Sequence, residues 1–350
     1  MAESPLPYKL NVAIFMSQTN TFKALLVEEQ DDKTFTKSIV QRSVSDLPDN
    51  DLLIQVHYSS LNYKDAMSAS GNKRISQHFP HTPGIDAAGI VISDKSGTFS
   101  AGQHVLVFGY DLGMNTPGGL GQMISIPAAW AVACPETLTL KEAMTYGTGG
   151  LTAALCIQKL EKMGAKPSDG PVAVTGATGG VGSISIALLK QLGYEVVAFS
   201  GKPEQSDKLK ELGASEVLHR DVILEVKDLP IGKTKWAHGI DTLGGDYLTG
   251  LLKQLKAGGG VASVGLASSP EIAMNVIPFI TRGVSLLGVD SVYIPLEDKK
   301  HIWQRVATDM KLPNLDSYQQ EISLLETPEY LERFFKGQVV GRYVVNVQDA

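Results

Sequence analysis

The sequence has only two cysteines, Cys134 and Cys156, in 350 residues. Two thiols cannot build a zinc ribbon or a disulfide scaffold, and such sparse cysteine use fits a reducing, cytosolic setting. No apolar run reaches the roughly 20 residues needed to cross a bilayer. Positive charge is also in short supply. Lys and Arg total 31 against 37 Asp and Glu, for a net charge of −6. That balance argues against nucleic acid as the main partner, so any anionic ligand must be held by local cations. Residues 10–16 are mostly apolar, but they lack the basic start and small-residue cleavage site of a signal peptide. They read as an N-terminal extension or a lead-in strand.

The chain is long enough for two domains, each with its own core. The apolar fraction is 43% and the charged fraction 19%, while 35 glycines exceed ordinary usage and gather in turns rather than repeats. The most informative cluster is Thr175-Gly176-Ala177-Thr178-Gly179-Gly180-Val181-Gly182. It follows a short apolar run after Pro171 and precedes an apolar pattern long enough for a helix. Strand, glycine turn and helix predict the pyrophosphate cradle of a dinucleotide fold. In this reading Gly176 makes the tight turn, the middle glycines let amides approach phosphate, and Gly182 lets helix pack on strand. A second strand is expected over 195–200, then a helix with Pro203 in its first turn and Gly213 past its end.

One more absence bears on the choice of dinucleotide. An NAD site carries Asp or Glu about 20 residues past the fingerprint, for the ribose hydroxyls. Here that place holds Ser200-Gly201-Lys202, with Arg220 after the next apolar stretch. A hydroxyl, a glycine and cations suit a 2′-phosphate, which a carboxylate would repel. The reading is NADPH; its alternative leaves Lys202 and Arg220 as ordinary surface charges.

The N-terminal part reads as antiparallel and β-rich. Strands are expected over 22–27 and 52–58, with charged and turn-rich segments between them, and further strands over 104–109 and 122–126. Ser60 or Asn62 caps the helix that follows the second strand. Asp86 stands alone in a small, apolar stretch, so it needs a partner, structural or functional. Helix formers begin at Leu140, and a domain junction is placed near Gly147-Thr148-Gly149-Gly150. Strands and helices then alternate to about Val289. A helix near 299–309 and a closing strand over 341–347 end the chain. The domains are accordingly drawn as a β-rich catalytic domain at 1–147, a dinucleotide domain at 148–289, and a return to the first at 290–350.

These motifs together resemble the medium-chain dehydrogenase/reductase superfamily: an α/β Rossmann domain beside a β-rich, GroES-like catalytic domain. Ser60-Leu61-Asn62-Tyr63-Lys64-Asp65, Pro83-Gly84-Ile85-Asp86, the 175–182 turn, Val289-Asp290-Ser291 and Gly341-Arg342 are similar to its acrylyl-CoA reductase and quinone oxidoreductase group. Zinc-dependent members carry a cysteine and a histidine where this chain has Asn62 and Ile85, so the resemblance implies catalysis without metal.

It further implies NADPH-dependent reduction of a short 2-enoyl-CoA, acrylyl-CoA first. The alternatives are a quinone or enone oxidoreductase and a non-catalytic NADPH-binding sensor. Asn62, Tyr63 and Arg342 are the implied donors to the developing enolate, with Asp65 and Asp86 orienting them and the proton donor left open. Cofactor contacts are implied for Tyr63, Thr178, Gly179, Gly180, Val181, Ser200, Gly201, Lys202, Arg220, Leu266, Ile280, Ser291 and Gln338. Leu266 and Ile280 read equally as core residues. Lys64, Lys73 and Arg74 are cations available to coenzyme A. A homodimer is expected from the resemblance alone.

Overall fold

The computed structural model describes residues 20–350. The expectation for residues 10–16 therefore lies outside the described residues. The chain divides into two compact units. One takes in the described residues up to Thr148 with Val292–His301 and Leu315–Ala350; the other holds Gly149–Ser291 and Ile302–Asn314.

The first unit is β-rich. It contains β1 (Thr21–Glu29), β2 (Phe35–Ser43), β3 (Leu52–Ser60), β4 (Asp86–Asp94), β5 (His104–Phe108), β6 (Met123–Ile126) and β7 (Ala131–Ala133). A short helix, α1 (Tyr63–Ala69), follows β3, and α2 (Leu140–Lys162) begins after β7. β1 and β2 form an antiparallel ribbon. β2 corrects the expectation of loop between the first two strands. Its alternation is hard to see because no residue of Phe35–Ser43 is fully buried, so Lys37, Gln41 and Arg42 sit among its apolar positions. β3 is the centre of the larger sheet, pairing with β4 and β6. Leu52, Ile54 and Val56 on β3 are fully buried, each contributing about 1.5–3 kcal/mol of apolar burial. Ser59 and Ser60 at its end are equally buried, and buried hydroxyls require partners.

The second unit is a parallel sheet wound in both directions from its first strand. In chain order the strands are β8 (Val172–Val174), β9 (Val196–Ser200), β10 (Glu216–His219), β11 (His238–Asp241), β12 (Gly260–Ser263) and β13 (Ser285–Gly288). Their spatial order is β10-β9-β8-β11-β12-β13. The chain moves outward from β8, returns, and continues from β11 on the other side. Ligands of such sheets bind at the carboxyl ends of the strands flanking that reversal. The connecting helices are α3 (Gly180–Gln191), α4 (Ser206–Glu211), α5 (Gly245–Gln254) and α6 (Ile277–Arg282).

After the sheet come α7 (Leu296–Val306), β14 (Gln319–Ser323), α8 (Thr327–Phe335) and β15 (Arg342–Asn346). β15 joins β3 antiparallel and β14 parallel, which carries Arg342 from the far end of the chain to the end of β3. The fold is α/β, a Rossmann-type sheet together with a GroES-like β-rich unit.

Candidate active site

Two sites can be built from the residues upward, one in each unit. In the first, β3 ends at Ser60 and Asn62 caps α1. Three positions into that helix, Asp65 turns its carboxylate back on the cap: the Asn62 backbone N–H donates to Oδ2 at 2.7 Å. The other oxygen of Asp65 accepts from the Ile85 N–H at 2.9 Å, one residue before β4 begins at Asp86. Asp65 thus fastens the end of β3 to the start of β4.

Asp86 is wholly buried and heavily bonded. Its Oδ2 accepts from the Ser60 hydroxyl, from Asn62 Nδ2 at 2.8 Å and from the Thr148 N–H at 3.0 Å. Its Oδ1 accepts from the Thr148 hydroxyl at 2.5 Å. Thr148 can reach it because α2 is broken at Gly147, whose φ of 48° and ψ of −156° are not helical. A Cβ at Gly147 would lie 2.3 Å from Ser60 Oγ, so the break requires glycine.

Arg342 closes the cluster and is itself buried. Nε donates to the Thr145 carbonyl at 3.1 Å, Nη1 to Asn62 Oδ1 at 3.2 Å, and Nη2 to Ser60 Oγ at 2.7 Å. Nη2 also lies 3.9 Å from Asp86 Oδ2. Burial, reinforced by the neighbouring Asp86 charge, pushes the Asp65 carboxyl up to about 7. Burial also lowers Arg342 from its ordinary value, against the pull of Asp86 and Asp65. A guanidinium stays charged even so.

The structure therefore brings Asn62, Asp65, Asp86 and Arg342 together and adds Ser60, Thr145 and Thr148. Both hydrogens of the Asn62 amide are engaged, by Asp86 and by the Ser60 carbonyl at 3.1 Å. Tyr63, first residue of α1, projects outward and is 55% exposed. Thr148 carried one sequence signal, its place beside a glycine inside a helix-forming stretch. Of the proposed coenzyme A cations, Lys64 is half-buried and Arg74 exposed. Lys73 is already paired with Glu29 at 2.6 Å and lies over the Phe79 ring.

The second site gathers at the carboxyl ends of β8, β9, β10 and β11. Gly176 has a φ of 57°, and a Cβ at Gly182 would sit 2.3 Å from the Gly176 carbonyl. The turn therefore seats α3 against its own backbone, as the spacing predicts. Gly179 is exposed and Thr178, Gly180 and Val181 half-buried. The first-turn amides of α3, which have no partners within a helix, would offer an anion the positive end of the dipole.

A network below the turn holds it across the point where the strand order reverses. The Thr175 hydroxyl donates to Asp241 Oδ1 at 2.6 Å and accepts from the Thr242 N–H at 3.0 Å. Asp241 Oδ2 takes the Gly244 N–H at 2.8 Å, and burial raises the carboxyl of Asp241.

Register places Ser200 of β9 opposite His219 of β10, so Gly201 and Arg220 follow side by side. The Lys202 N–H donates to Ser200 Oγ at 2.9 Å. Ser200, Gly201, Lys202 and Arg220 thus share one corner, with a hydroxyl and two cations suited to a phosphate. Leu266 and Ile280 are 66% and 76% exposed, which overturns their reading as core residues. Ser291 is half-buried in this unit; Gln338 is exposed and, like Tyr63, belongs to the first.

Residues 48–136 match the alcohol dehydrogenase GroES-like domain and 180–308 the zinc-binding dehydrogenase family. A protein of Escherichia coli named "Probable acrylyl-CoA reductase AcuI" is 45% identical over 93% of this chain and 99% of its own. Acrylyl-CoA reductase AcuI of Ruegeria pomeroyi is 40% identical, again over 93% and 99%. The chain belongs to the medium-chain dehydrogenase/reductase superfamily. Superfamily structures agree: E. coli YhdH with bound NADPH superposes at a TM-score of 0.88 with 44% identity, over 93% of this chain and 99% of that one. Bacillus subtilis YhfP with NAD bound gives 0.91 and 41%, over 94% and 100%.

The zinc that this superfamily often carries does not fit the cluster. Asp86 is filled by hydroxyl and amide donors, the Asn62 oxygen faces Arg342, and a guanidinium within 3.9 Å would repel a second cation. Among the described residues there is no group of three His, Cys, Asp or Glu placed to hold a metal.

Proposed function

We propose that this reductase converts a short 2-enoyl-CoA, acrylyl-CoA first, to the saturated thioester with NADPH and without metal. The observation that carries this reading is near full-length identity of 40–45% to two proteins named acrylyl-CoA reductase, combined with a polar cluster closed to zinc. The overall balance is acrylyl-CoA plus NADPH plus a proton, giving propanoyl-CoA and NADP⁺. NADPH supplies a hydride to the β-carbon of the conjugated double bond.

In this proposal Thr178, Gly179, Gly180 and Val181 hold the pyrophosphate, and Ser200, Gly201, Lys202 and Arg220 the 2′-phosphate. Leu266, Ile280, Ser291, Tyr63 and Gln338 add further cofactor contacts. Hydride addition puts negative charge on the thioester oxygen, and preorganised donors stabilise such an enolate. Arg342 has N–H groups beyond the three bonds it makes, and Tyr63 has an exposed hydroxyl; these two are the proposed donors. Asn62, Asp65 and Asp86 act as positioning residues, since their own polar atoms are committed to each other and to Arg342. The catalytic unit is drawn as 1–147 with 290–350 and the cofactor unit as 148–289, except that 302–314, expected in the return segment, belongs to the compact unit of the parallel sheet. Cys134 and Cys156 are both free thiols, which supports a cytoplasmic setting, and no helix among the described residues is long and apolar enough to cross a membrane.

A second copy of the chain is the proposed partner. β13 ends the six-stranded sheet, and Ile272, Val276 and Leu286 in and before it are exposed. An open edge strand carrying apolar side chains is a pairing surface.

The second reading, quinone reduction, rests on a Bacillus subtilis protein named "Putative quinone oxidoreductase YhfP", which is 42% identical over 93% of this chain and 99% of its own. NADPH oxidation with acrylyl-CoA and with 1,4-benzoquinone, each against an NADH control, separates the two. A higher kcat/KM for acrylyl-CoA supports the thioester reading. Preference for the quinone with inert CoA esters supports the alternative, and NADPH binding with turnover of neither supports a sensor.

A further inference from the structure

Arg220 is the one cation of the proposed 2′-phosphate corner that carries an acid as its next residue. Asp221 Oδ1 lies 3.9 Å from Arg220 Nε, and both side chains are about half exposed. Left to itself, such a pair would close, and the carboxylate would neutralise the guanidinium and repel a phosphate. A third side chain stands against both. Tyr247, in the first turn of α5, is buried. Its hydroxyl donates to Asp221 Oδ1 at 2.9 Å, and its ring takes the Arg220 guanidinium with Cζ 5.5 Å from the centroid. A Cβ at Gly201 would meet Arg220 Nε at 3.0 Å and Cζ at 3.2 Å. Arg220 therefore has beside it a glycine that leaves it room and a ring that takes its guanidinium.

We propose that Tyr247 is a positioning residue for dinucleotide choice: it holds Asp221 by its hydroxyl and Arg220 by its ring, so that the guanidinium is set for a 2′-phosphate. The proposal rests on reading the corner of Ser200, Gly201, Lys202 and Arg220 as the 2′-phosphate site. Nothing in the sequence separates Tyr247 from an ordinary core aromatic. Its contacts do, because burial alone would not require one side chain to touch both members of an ion pair. Gly201 acquires a second reason for being glycine, independent of any direct approach to phosphate.

Dissociation constants of NADPH and NADH, measured by fluorescence titration on the full-length protein, test this. The variants are Arg220→Ala, Tyr247→Phe, Tyr247→Leu and the double variant Arg220→Ala/Tyr247→Leu. Tyr247→Leu is expected to weaken NADPH about tenfold and leave NADH within about twofold, the scale of a lost cation–π contact and its restraint. Tyr247→Phe keeps the ring and should weaken NADPH about threefold, the scale of one hydrogen bond to a half-exposed carboxylate. The double variant should bind NADPH no worse than Arg220→Ala alone, since Tyr247 acts through that arginine.

Equal weakening of both dinucleotides, or losses that add in the double variant, overturns the proposal. If Tyr247→Leu does not fold, Tyr247→Phe decides it: selective loss of NADPH supports the role, and no change overturns it. An Arg220→Ala protein with an unchanged NADPH-to-NADH ratio would instead overturn the phosphate assignment beneath it.

Discussion

Arg342 lies 3.9 Å from Asp86 with both side chains out of solvent. Replacing it by Met leaves a buried carboxylate without its counter-charge. Breaking a buried pair in this way costs about 3–5 kcal/mol, so thermal melting should show a large loss of stability in Arg342→Met. Arg342→Lys keeps the charge but cannot reproduce the three-way fork to Thr145, Asn62 and Ser60. It should fold better than the Met variant and still lose kcat/KM, while an Arg342→Lys enzyme with full activity would contradict the proposed donor role.

Asp65 makes a pH-dependent prediction. Its carboxyl stands at about 7 against an ordinary 3.8, so between those values the folded chain holds a proton that the unfolded chain has released. The stability it contributes is complete below pH 3.8 and is lost as pH rises to about 7, levelling off beyond. Asp65→Asn stays neutral throughout and carries only a constant offset from its altered hydrogen bonds. The melting temperature of the wild type relative to Asp65→Asn should therefore fall across that window. A difference that does not change with pH would show that Asp65 is ionised in the fold at all of these values. At the other site, Lys202→Ala should weaken NADPH far more than NADH in the same titration. Equal loss would remove the lysine from the 2′-phosphate corner.

Elements differ in how openly the sequence declares them. β3, β8, β9 and the turn before α3 were legible because each rests on local pattern: alternation, a short apolar run, or glycines at fixed spacing. β2 was hidden, because a ribbon strand with no fully buried residue has no clean period. Asn62, Asp65, Asp86 and Arg342 could be picked out as polar residues among apolar ones, or by resemblance. Thr148 could not be tied to Asp86, since its two bonds span 62 residues and depend on the break at Gly147. Asp241 and Tyr247 stayed hidden for the same reason: a partner distant in sequence leaves no local trace. The seat of α3 is open to test at this scale. Gly182→Ala places a methyl 2.3 Å from the Gly176 carbonyl, so α3 must withdraw from the turn. Binding of both dinucleotides should drop more than about tenfold, the scale of 1.4 kcal/mol. Unchanged affinity would mean that close seating of the helix is not what shapes the cradle.

For the molecule as a whole, two properties are predicted apart from substrate. Activity should survive dialysis against EDTA, because the polar cluster is closed by Arg342 and offers a metal no open ligand set. Loss of activity restored by zinc would contradict that. Light scattering should give the mass of a dimer, and Leu286→Lys on the exposed edge of β13 should shift it toward monomer. A monomeric wild type would remove the proposed pairing surface.

The proposed reaction is hydride delivery to the β-carbon of an enoyl thioester without metal. It is tested most directly by turning over acrylyl-CoA with NADPH deuterated at both C4 positions and locating the label in the product. Propanoyl-CoA is expected with one deuterium on its β-carbon and none on the α-carbon, which takes its proton from protein or solvent. Deuterium on the α-carbon, unlabelled product, or no turnover of acrylyl-CoA at all would contradict it.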